Sequence, residues 1–382
     1  MNLKFSAFII LSTLVVSCSQ PVKTAKDLIV LDLSQDLTVE SKLTLSQMAS
    51  DISYIKLESN PECLIGRIEQ YSISKNYILI YDLRQPKILL FNRQGKFLRS
   101  ISHNGSGPGE YFRPYDVRIT KDEKYVLISD MKKVIRFGFD GKLVGETRLP
   151  GAAWKIDTFE GGIIGFFTSS YSPLVENYGI IFFDWDGKAT GKLLRRNWDN
   201  LKISMTVRGK VFYYINDELR INEGYFDTVY AIRSNRSIEP RIIFKDPHGK
   251  VEWTMADPNF HLETWMETPD YLFLNGPYKS RLHLMYMDKK TGLLYHLPFN
   301  IDLHTAGIPN DLDGGAPFWP HRYQDGSIYR IQEANTLKSV LDNPLIDKAV
   351  FTNHALRDKM LAFRKNLSDD DGPVLIEVKL KF

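Results

Sequence analysis

Residues 77–101 read YILIYDLRQPKILLFNRQGKFLRSI, in which three short apolar runs are separated by polar turns. Residues 125–145 repeat this order as YVLISDMKKVIRFGFDGKLVG, and a Gly-Lys turn again joins the second and third runs. Apolar residues that alternate with polar ones between such turns are typical of short antiparallel strands. The pattern therefore predicts a tandem repeat of small β-sheets.

The repeat continues through most of the chain at a spacing of about 45 residues, which is the length of one propeller blade. Later units cover residues 180–188, 212–232, 271–292 and 327–331. Four strands per unit indicate a β-propeller, because each twisted sheet buries both faces only between two neighbours. We predict an all-β, six-bladed propeller with four-stranded antiparallel blades, rather than an open stack or two β-sandwiches.

Closure of such a ring requires both ends of the chain in one blade. Residues 52–57 and 374–380 are strand-like segments suited to that role. Helical spacing is rare, and its clearest example runs from His354 to Leu367, which predicts a short helix before the closing strand. Shorter helical turns are expected at 43–48 and 347–349.

The N-terminal residues predict export. Lys4 precedes an apolar run from Phe5 to Val16, which is too short for a stable span and typical of a signal peptide. The run ends at Ser17-Cys18, and a small residue before cysteine is what a lipoprotein signal peptidase accepts. We expect a palmitate-type lipid on Cys18 and anchoring in the cell envelope, at the outer membrane. The alternative is an ordinary secretory peptide with an incidental cysteine.

These features divide the chain into a signal peptide with its lipobox (1–18), a polar tether (19–30) and the propeller (31–382). The net charge is +3 with both signs interspersed, so a basic face for nucleic acid is not expected. After Cys18 the only other cysteine is Cys63, so no intramolecular disulfide is expected. Cys63 lies beside Leu64 and Ile65, which favours a buried apolar role over that of a nucleophile.

Three segments carry a family resemblance: GSGPGEY at 105–111, CLIGRI at 63–68 and GPVLI at 372–376. On these segments the chain resembles the six-bladed β-propeller lipoproteins with NHL-like blades, over nearly its whole length after the signal peptide. The resemblance implies the fold and an envelope location, and it implies no catalytic residues. Members of that group often carry Pro-Arg before the last blade, where this chain has Trp319-Pro320-His321-Arg322.

The glycine-rich loop at 105–109 does not end in the Gly-Lys-Ser/Thr of a phosphate-binding loop, so we interpret it as a crossover between blades. Such crossovers share a rim with the loops between the two middle strands of each blade, at the mouth of the central channel. Candidate binding residues on this rim are His103, Glu110, Arg113, Tyr171, Tyr225, Tyr278, Arg281, Trp319, His321 and Arg322. Arg84, Lys132, Lys133 and Arg220 are expected on the same rim.

This composition favours a glycan or another small polar ligand, since flat rings stack on sugars and arginine pairs with carboxylates. A first alternative is a glycan lyase or hydrolase that uses Glu110 or Asp116 as acid or base, with Arg113 and Arg322 holding a uronate. A second alternative is a scaffold that docks an envelope protein through the loop at 246–269. Its candidate anchors are Trp253, Phe260 and Trp265.

No motif in the sequence predicts a cofactor or a metal centre. His283, His296 and His304 are spaced too irregularly for a zinc site, and each is expected to be a strand or loop histidine. No catalytic residue is predicted from the sequence. The expected partners are therefore the membrane, through the lipid on Cys18, together with a glycan or small molecule, or an envelope protein.

Overall fold

A computed structural model describes residues 28–33, 39–167, 178–195, 211–222, 227–245, 262–279, 281–297 and 306–381. Its strands form six consecutive antiparallel sheets arranged as the blades of a propeller, which confirms the predicted fold. The first elements are β1 (Ile29–Asp32), α1 (Leu45–Met48) and β2 (Ala49–Lys56).

Blades 1 to 3 each use four consecutive strands. They are β3 (Ile68–Ile73), β4 (Tyr77–Asp82), β5 (Lys87–Asn92) and β6 (Phe97–Ser100), then β7 (Pro114–Ile119), β8 (Val126–Asp130), β9 (Lys133–Phe137) and β10 (Leu143–Arg148), then β11 (Lys155–Phe159), β12 (Gly162–Phe166), β13 (Tyr178–Phe183) and β14 (Ala189–Arg195).

Blades 4 and 5 follow the same order. Their strands are β15 (Phe212–Ile215), β16 (Glu218–Ile221), β17 (Thr228–Ile232) and β18 (Ile238–Lys245), then β19 (Thr264–Glu267), β20 (Tyr271–Tyr278), β21 (Arg281–Asp288) and β22 (Leu293–His296). Blade 6 combines β23 (Arg322–Gln324), β24 (Ser327–Gln332) and β25 (Val374–Leu380) with β2 on its outside.

The second strand of a blade shows why these segments are so apolar. In β4, Leu79 and Tyr81 pack toward blade 2, in the same cluster as Val126, whereas Ile78 and Ile80 pack toward blade 6, in the cluster of Leu375. Both faces of the sheet are thus removed from water, and the burial of each large aliphatic side chain contributes roughly 1.5–3 kcal/mol. The core is consequently a ring of inter-blade layers and not one central mass.

In blades 1 and 2, an aspartate at the end of the second strand holds the segment of chain that enters the same blade. The carboxylate of Asp82 accepts hydrogen bonds from the backbone N–H groups of Gly66 (2.7 Å), Arg67 (2.9 Å) and Arg84 (2.8 Å). Asp130 accepts the N–H of Phe112 in the same way (2.9 Å). Both carboxylates are buried. Water cannot reach the backbone N–H groups beside them, so the carboxylates supply the acceptors that these donors need where the chain enters the blade. We call this arrangement the aspartate clasp.

The ends of the chain close the ring as the sequence predicts. Strand β2 pairs antiparallel with β25, from Ala49 opposite Leu380 to Lys56 opposite Val374. Across the joint to blade 1, the guanidinium of Arg93 contacts Glu377 at 2.5 Å, and the hydroxyl of Tyr329 donates to Glu377 at 2.9 Å. Strand β1 adds a fifth, parallel strand to the outer edge of blade 4, which covers an edge open to further pairing.

Three helices lie between β24 and β25: α2 (Ala334–Leu341), α3 (Pro344–Asp347) and α4 (His354–Lys365). Helix α4 confirms the helix predicted before the closing strand, although it ends two residues earlier. Helix α2 was not predicted, even though its buried Ala334, Leu337 and Leu341 have helical spacing. Within the described residues, no helix has the length and apolar character needed to cross a membrane.

Candidate functional site

The first strand of each blade faces the central axis, and the channel has two mouths. We call upper the mouth formed where the chain passes between blades and between the second and third strands. We call lower the mouth formed by the hairpins that join the first and second strands. The side chains of one inner strand bridge to the next, as when Gln70 of β3 donates to the carbonyl of Tyr115 beside it on β7 (2.8 Å).

A cavity of about 710 Å³ opens at the upper mouth between blades 5, 6 and 1. We call it the upper cavity. Its charged and polar lining residues are Arg67, Glu69, Tyr71, Asn275, His321, Arg330, Gln332, Glu333 and Thr336. Its apolar lining includes Trp319, Leu282, Leu284 and Ile331. An apolar wall with a few convergent polar groups is the usual composition of a small-molecule site.

The cavity exists because blade 6 departs from the repeat. Strand β23 has three residues, whereas β3 has six, so the upper half of β24 has no inner neighbour. At the end of β24, Gln332 occupies the position that Asp82 occupies at the end of β4. The Nε2 of Gln332 is buried and has no hydrogen-bond partner among the described residues. In blade 6, therefore, the aspartate clasp of blades 1 and 2 is absent, and the amide nitrogen of Gln332 is a donor in the cavity wall without a partner in the described part of the chain.

Two further polar groups of the upper cavity lack partners. The hydroxyl of Tyr71 is buried without a hydrogen bond of regular geometry to any described residue; burial raises its pKa, and the nearby guanidinium of Arg322 acts in the opposite direction. Arg330 is 7% exposed, and no carboxylate in the described part of the chain forms an ion pair with it. Burial lowers the pKa of Arg330, because desolvation disfavours the charged guanidinium. Buried polar groups are normally satisfied, so this cluster calls for a ligand or solvent that completes it.

Two carboxylates also line the upper cavity. Glu69 forms a loose ion pair with Arg67 at 3.7 Å, and both side chains are open to solvent. Glu333 lies at the start of α2, and its pKa is raised by desolvation and by the negative charge of Asp82. A carboxyl group with a raised pKa can hold a proton closer to neutral pH than an ordinary glutamate can.

Trp319 and His321, both predicted from the sequence as rim residues, line the upper cavity. Trp319 is 8% exposed, and its ring packs edge-on against Phe273 with centroids 5.5 Å apart. Arg322 lines a different cavity at the lower mouth. Tyr278 is the last residue of β20 and Arg281 is the first residue of β21. These two strands line the upper cavity with Asn275 and Leu282, whereas Tyr278 and Arg281 are not among its lining residues.

His103, Glu110 and Arg113 lie in the crossover between blades 1 and 2 and line neither cavity. Glu110 closes the glycine-rich loop on itself, because its carboxylate accepts the N–H of Gly107 (2.7 Å) and contacts His103 at 2.6 Å. These hydrogen bonds lower the pKa of Glu110, which does not suit a general acid. Cys18, Tyr171 and Tyr225 lie outside the described residues.

Asp116, the other carboxylate considered for catalysis, is buried in the channel wall. It accepts a hydrogen bond from the N–H of Ile156 (3.0 Å) and contacts the ammonium of Lys155 at 3.1 Å. Arg113, on the upper crossover, does not line the cavity that Arg322 lines. The structure therefore does not assemble Glu110, Asp116, Arg113 and Arg322 around one ligand.

The remaining candidate residues take structural positions. His283 and His296 have ring centroids 6.4 Å apart, and no group of three or more metal-ligating side chains occurs in the described ranges. His304, Trp253 and Phe260 lie outside those ranges. Trp265 is 7% exposed and packs against Tyr213 of blade 4, so it caps the neighbouring blade. Cys63 is buried and free.

Sequence reasoning missed Tyr71, Arg330, Gln332 and Glu333. Each lies in or next to a strand that reads as ordinary blade sequence, so the residue types alone carry no signal. A signal was nevertheless present in the alignment of strand ends. Residues 77–82 and 125–130 end in aspartate, whereas residues 327–332 end in glutamine after an arginine in an otherwise apolar strand.

Two solved structures from Bacteroides species are similar to this chain. A protein of Bacteroides fragilis described as exported is 17% identical, with a TM-score of 0.68 over 93% of this chain and 100% of that chain. A member of the duf4221 family from Bacteroides vulgatus is 10% identical, with a TM-score of 0.45 over 87% of this chain and 97% of that chain. The first of these shows that the fold is shared.

No match was found among curated protein sequences. A family model does match the chain, over residues 28–379, which is nearly all of the described structure. Its description is that of a domain of unknown function. This chain therefore belongs to the DUF4934 family.

Proposed function

We propose that this protein is an envelope-anchored binding module whose upper cavity holds a small acidic carbohydrate or a chemically similar polar ligand. One observation carries the proposal. The Tyr71 hydroxyl and the Gln332 Nε2 reach this cavity as buried groups without a hydrogen-bond partner among the described residues, and the mostly buried Arg330 beside them has no ion pair with a described carboxylate. A ligand with a carboxylate and hydroxyl groups would complete all three.

The chemistry of the walls supports this ligand class. A buried guanidinium binds a carboxylate through charge-assisted hydrogen bonds, which are stronger than neutral ones. Trp319 offers an aromatic surface for the C–H face of a sugar ring, and Leu282 and Leu284 extend the apolar wall. The amide of Gln332 and the phenol of Tyr71 can bind hydroxyl groups, which gives the site its polarity at fixed positions.

The envelope location in this proposal rests on the predicted signal peptide and on lipidation of Cys18. The similar protein of Bacteroides fragilis is described as exported, which agrees with it. Intact-mass measurement of the membrane-associated protein, compared with a Cys18→Ala variant, tests the anchor. A lipid-sized mass increment that is absent from the variant is expected, and equal masses would contradict it.

Binding is tested by isothermal titration calorimetry of the purified protein with glucuronate and galacturonate, with glucose as the neutral probe. Arg330→Met should weaken uronate binding by about tenfold or more, because a hydrogen bond to a charged group is lost. Arg113→Met is the matched control, because Arg113 is an exposed arginine on the same rim outside the cavity. Equal affinities in Arg330→Met and wild type would refute the proposal.

A catalytic version of this function has one observation in its favour. The raised pKa of Glu333 and the presence of Glu69 in the same cavity provide an acid and a second carboxylate for cleavage of a glycosidic bond. Glu333→Gln should then abolish cleavage of uronate-containing oligosaccharides while binding persists. If the wild-type protein cleaves none of these oligosaccharides, the catalytic function is excluded and only the binding function is retained.

A further inference from the structure

A groove of about 630 Å³ lies at the lower mouth, across blades 2, 3 and 4. We call it the lower groove. Residues 120–125 join β7 to β8 in blade 2, whereas only Glu160 and Gly161 join β11 to β12 in blade 3. Past this short hairpin, the ammonium of Lys121 in blade 2 reaches the carboxylate of Asp217 in blade 4 at 2.5 Å. The lower groove is thus the space left over the short hairpin of blade 3.

Four aromatic side chains line the lower groove, and each is partly exposed to solvent. They are Tyr125, Phe159, Trp185 and Tyr214. Partly exposed aromatic rings offer flat apolar surfaces that can stack on a ligand, beside polar groups that orient it. The composition of the lower groove is therefore that of a binding surface for a flat-faced ligand.

Neighbouring side chains hold these rings in place. The guanidinium of Arg136 lies over the ring of Trp185, 4.0 Å from its centroid, and Tyr125 packs edge-on against the same ring with centroids 6.1 Å apart. Phe159 packs against the buried ring of Phe182 at 5.2 Å. Arg136 and Phe182 do not line the groove, so their contacts lie behind the rings. A ligand would meet a preorganised surface, which reduces the entropy that is lost on binding.

The charges of the lower groove are balanced. Lys121 forms the ion pair with blade 4 described above, and Lys124 contacts Asp122 at 3.0 Å. Glu160, the remaining charged lining residue, contacts Arg236 at 3.4 Å. Each charged side chain of the lining already has an oppositely charged partner within the protein. This balance favours a neutral ligand, in contrast to the acidic ligand proposed for the upper cavity.

The lower groove has room for an extended ligand. Gly161 has a φ of +77°, and a side chain at this position would meet no atom within 4 Å of its Cβ. The groove also adjoins the smaller cavity that Arg322 lines, because Lys121, Asp122 and Tyr214 line both. The combined space suits a chain of several sugar units better than a single sugar.

We propose that the lower groove is a second binding site, which takes a neutral oligosaccharide. Sugar rings would stack through their C–H faces on Trp185 and Tyr214. Their hydroxyl groups would form hydrogen bonds with Thr158 and with the paired charged groups of the lining. The lower groove lies at the opposite mouth from the upper cavity, so the proposal does not rest on the function proposed for that cavity.

The test is isothermal titration calorimetry of the purified protein with three neutral chains: cellotetraose, mannotetraose and xylotetraose. At least one of them should bind the wild type. Trp185→Ala should weaken that binding about tenfold or more, because a stacking surface is lost. Phe112→Ala is the matched control, since Phe112 is a 64% exposed aromatic residue outside the groove, and it should bind as the wild type does.

A second pair of variants tests the lower groove without removing a ring. Gly161→Asn places a side chain in the groove, and asparagine accepts the left-handed conformation more readily than most residues. It should weaken tetrasaccharide binding about tenfold. Gly326→Asn is the matched control, because Gly326 has a φ of +81° and equally open surroundings, in the hairpin of blade 6 outside the groove. This control should keep the wild-type affinity, and both variants should unfold at similar temperatures.

No binding of any of the three chains by the wild type, or equal binding by Gly161→Asn and Gly326→Asn, would overturn the proposal. Arg330→Met should keep the tetrasaccharide affinity of the wild type, and Gly161→Asn should keep its uronate affinity. Loss of tetrasaccharide binding in Arg330→Met with full binding in Gly161→Asn would also overturn the proposal, because the chain would then occupy the upper cavity.

Discussion

Blades 1 and 6 are neighbours in the ring, and they are built in opposite ways. Blade 1 uses four consecutive strands, its inner strand has six residues, and the Asp82 clasp satisfies the backbone of the incoming chain. Blade 6 uses strands from both ends of the chain, its inner strand has three residues, and Gln332 replaces the clasp. The regular blade is closed, and the irregular one opens the upper cavity.

The difference between blades 1 and 6 shows which part of a repeat protein can form a binding site. In blades 1 and 2 the backbone N–H groups of the incoming chain have a structural partner, because the repeat must satisfy its own backbone. Where a strand is shortened and a clasp is lost, donors such as the Nε2 of Gln332 become available to a ligand. Blade 6 can tolerate the loss because its closure rests on the long pairing of β2 with β25 and on the contacts of Glu377.

The largest expected effect is at the clasp. Asp82→Ala should lower the free energy of unfolding by about 4 kcal/mol, because three backbone N–H groups lose a charged acceptor. Gln332→Ala, at the matching position of blade 6, should cost under about 1 kcal/mol because its Nε2 has no partner to lose. Chemical denaturation of both variants measures the difference. Similar losses in the two would remove the distinction between the blades.

An intermediate effect is expected in the helical insertion of blade 6. Arg357 is buried and donates to the carbonyls of Ile346 (2.7 Å), Gly314 (3.1 Å) and Asp313 (3.3 Å), which holds α4 against the preceding loop. Arg357→Met should cost about 3 kcal/mol and raise hydrogen exchange in α2 to α4 more than in blade 1. A uniform rise in exchange would show that the insertion is not a separate unit. An exposed arginine, Arg113→Met, serves as the neutral control.

The smallest expected effect is the pH dependence of stability that comes from Asp342. Hydrogen bonds from Lys338, and then from Arg364, lower the pKa of Asp342, which links the end of α2 to α4. This ion pairing stabilises the folded state above the ordinary aspartate value of about 3.9 and is lost as the pH falls below it. Asp342→Asn should therefore cost under about 1 kcal/mol at neutral pH and progressively less as the pH falls below about 3.9 and through the lowered pKa of Asp342. Thermal unfolding from neutral to acid pH measures it, and a cost that does not change with pH would contradict it.

Much of the fold could be predicted because the repeat is local in sequence. The runs at 77–101 and 125–145 contain their own strands and turns, and their apolar residues on both faces require flanking blades. The closing strands were recognisable for the same reason. Helix α2 was missed, since eight residues with three apolar positions form a weak pattern beside strong strands.

The sequence by itself determined the propeller, the number of blades and the joining of the two ends, because strand periodicity and turn residues act over short distances. Trp319 and His321, two of the residues that the sequence suggests for the rim, line the upper cavity. Only the tertiary structure decided which side chains share a cavity. Tyr71 comes from blade 1, whereas Arg330 and Gln332 come from β24 of blade 6, and Arg322 lines a different cavity at the lower mouth. Whether a buried donor has a partner depends on the packing of neighbouring blades, and no residue type carries that information alone.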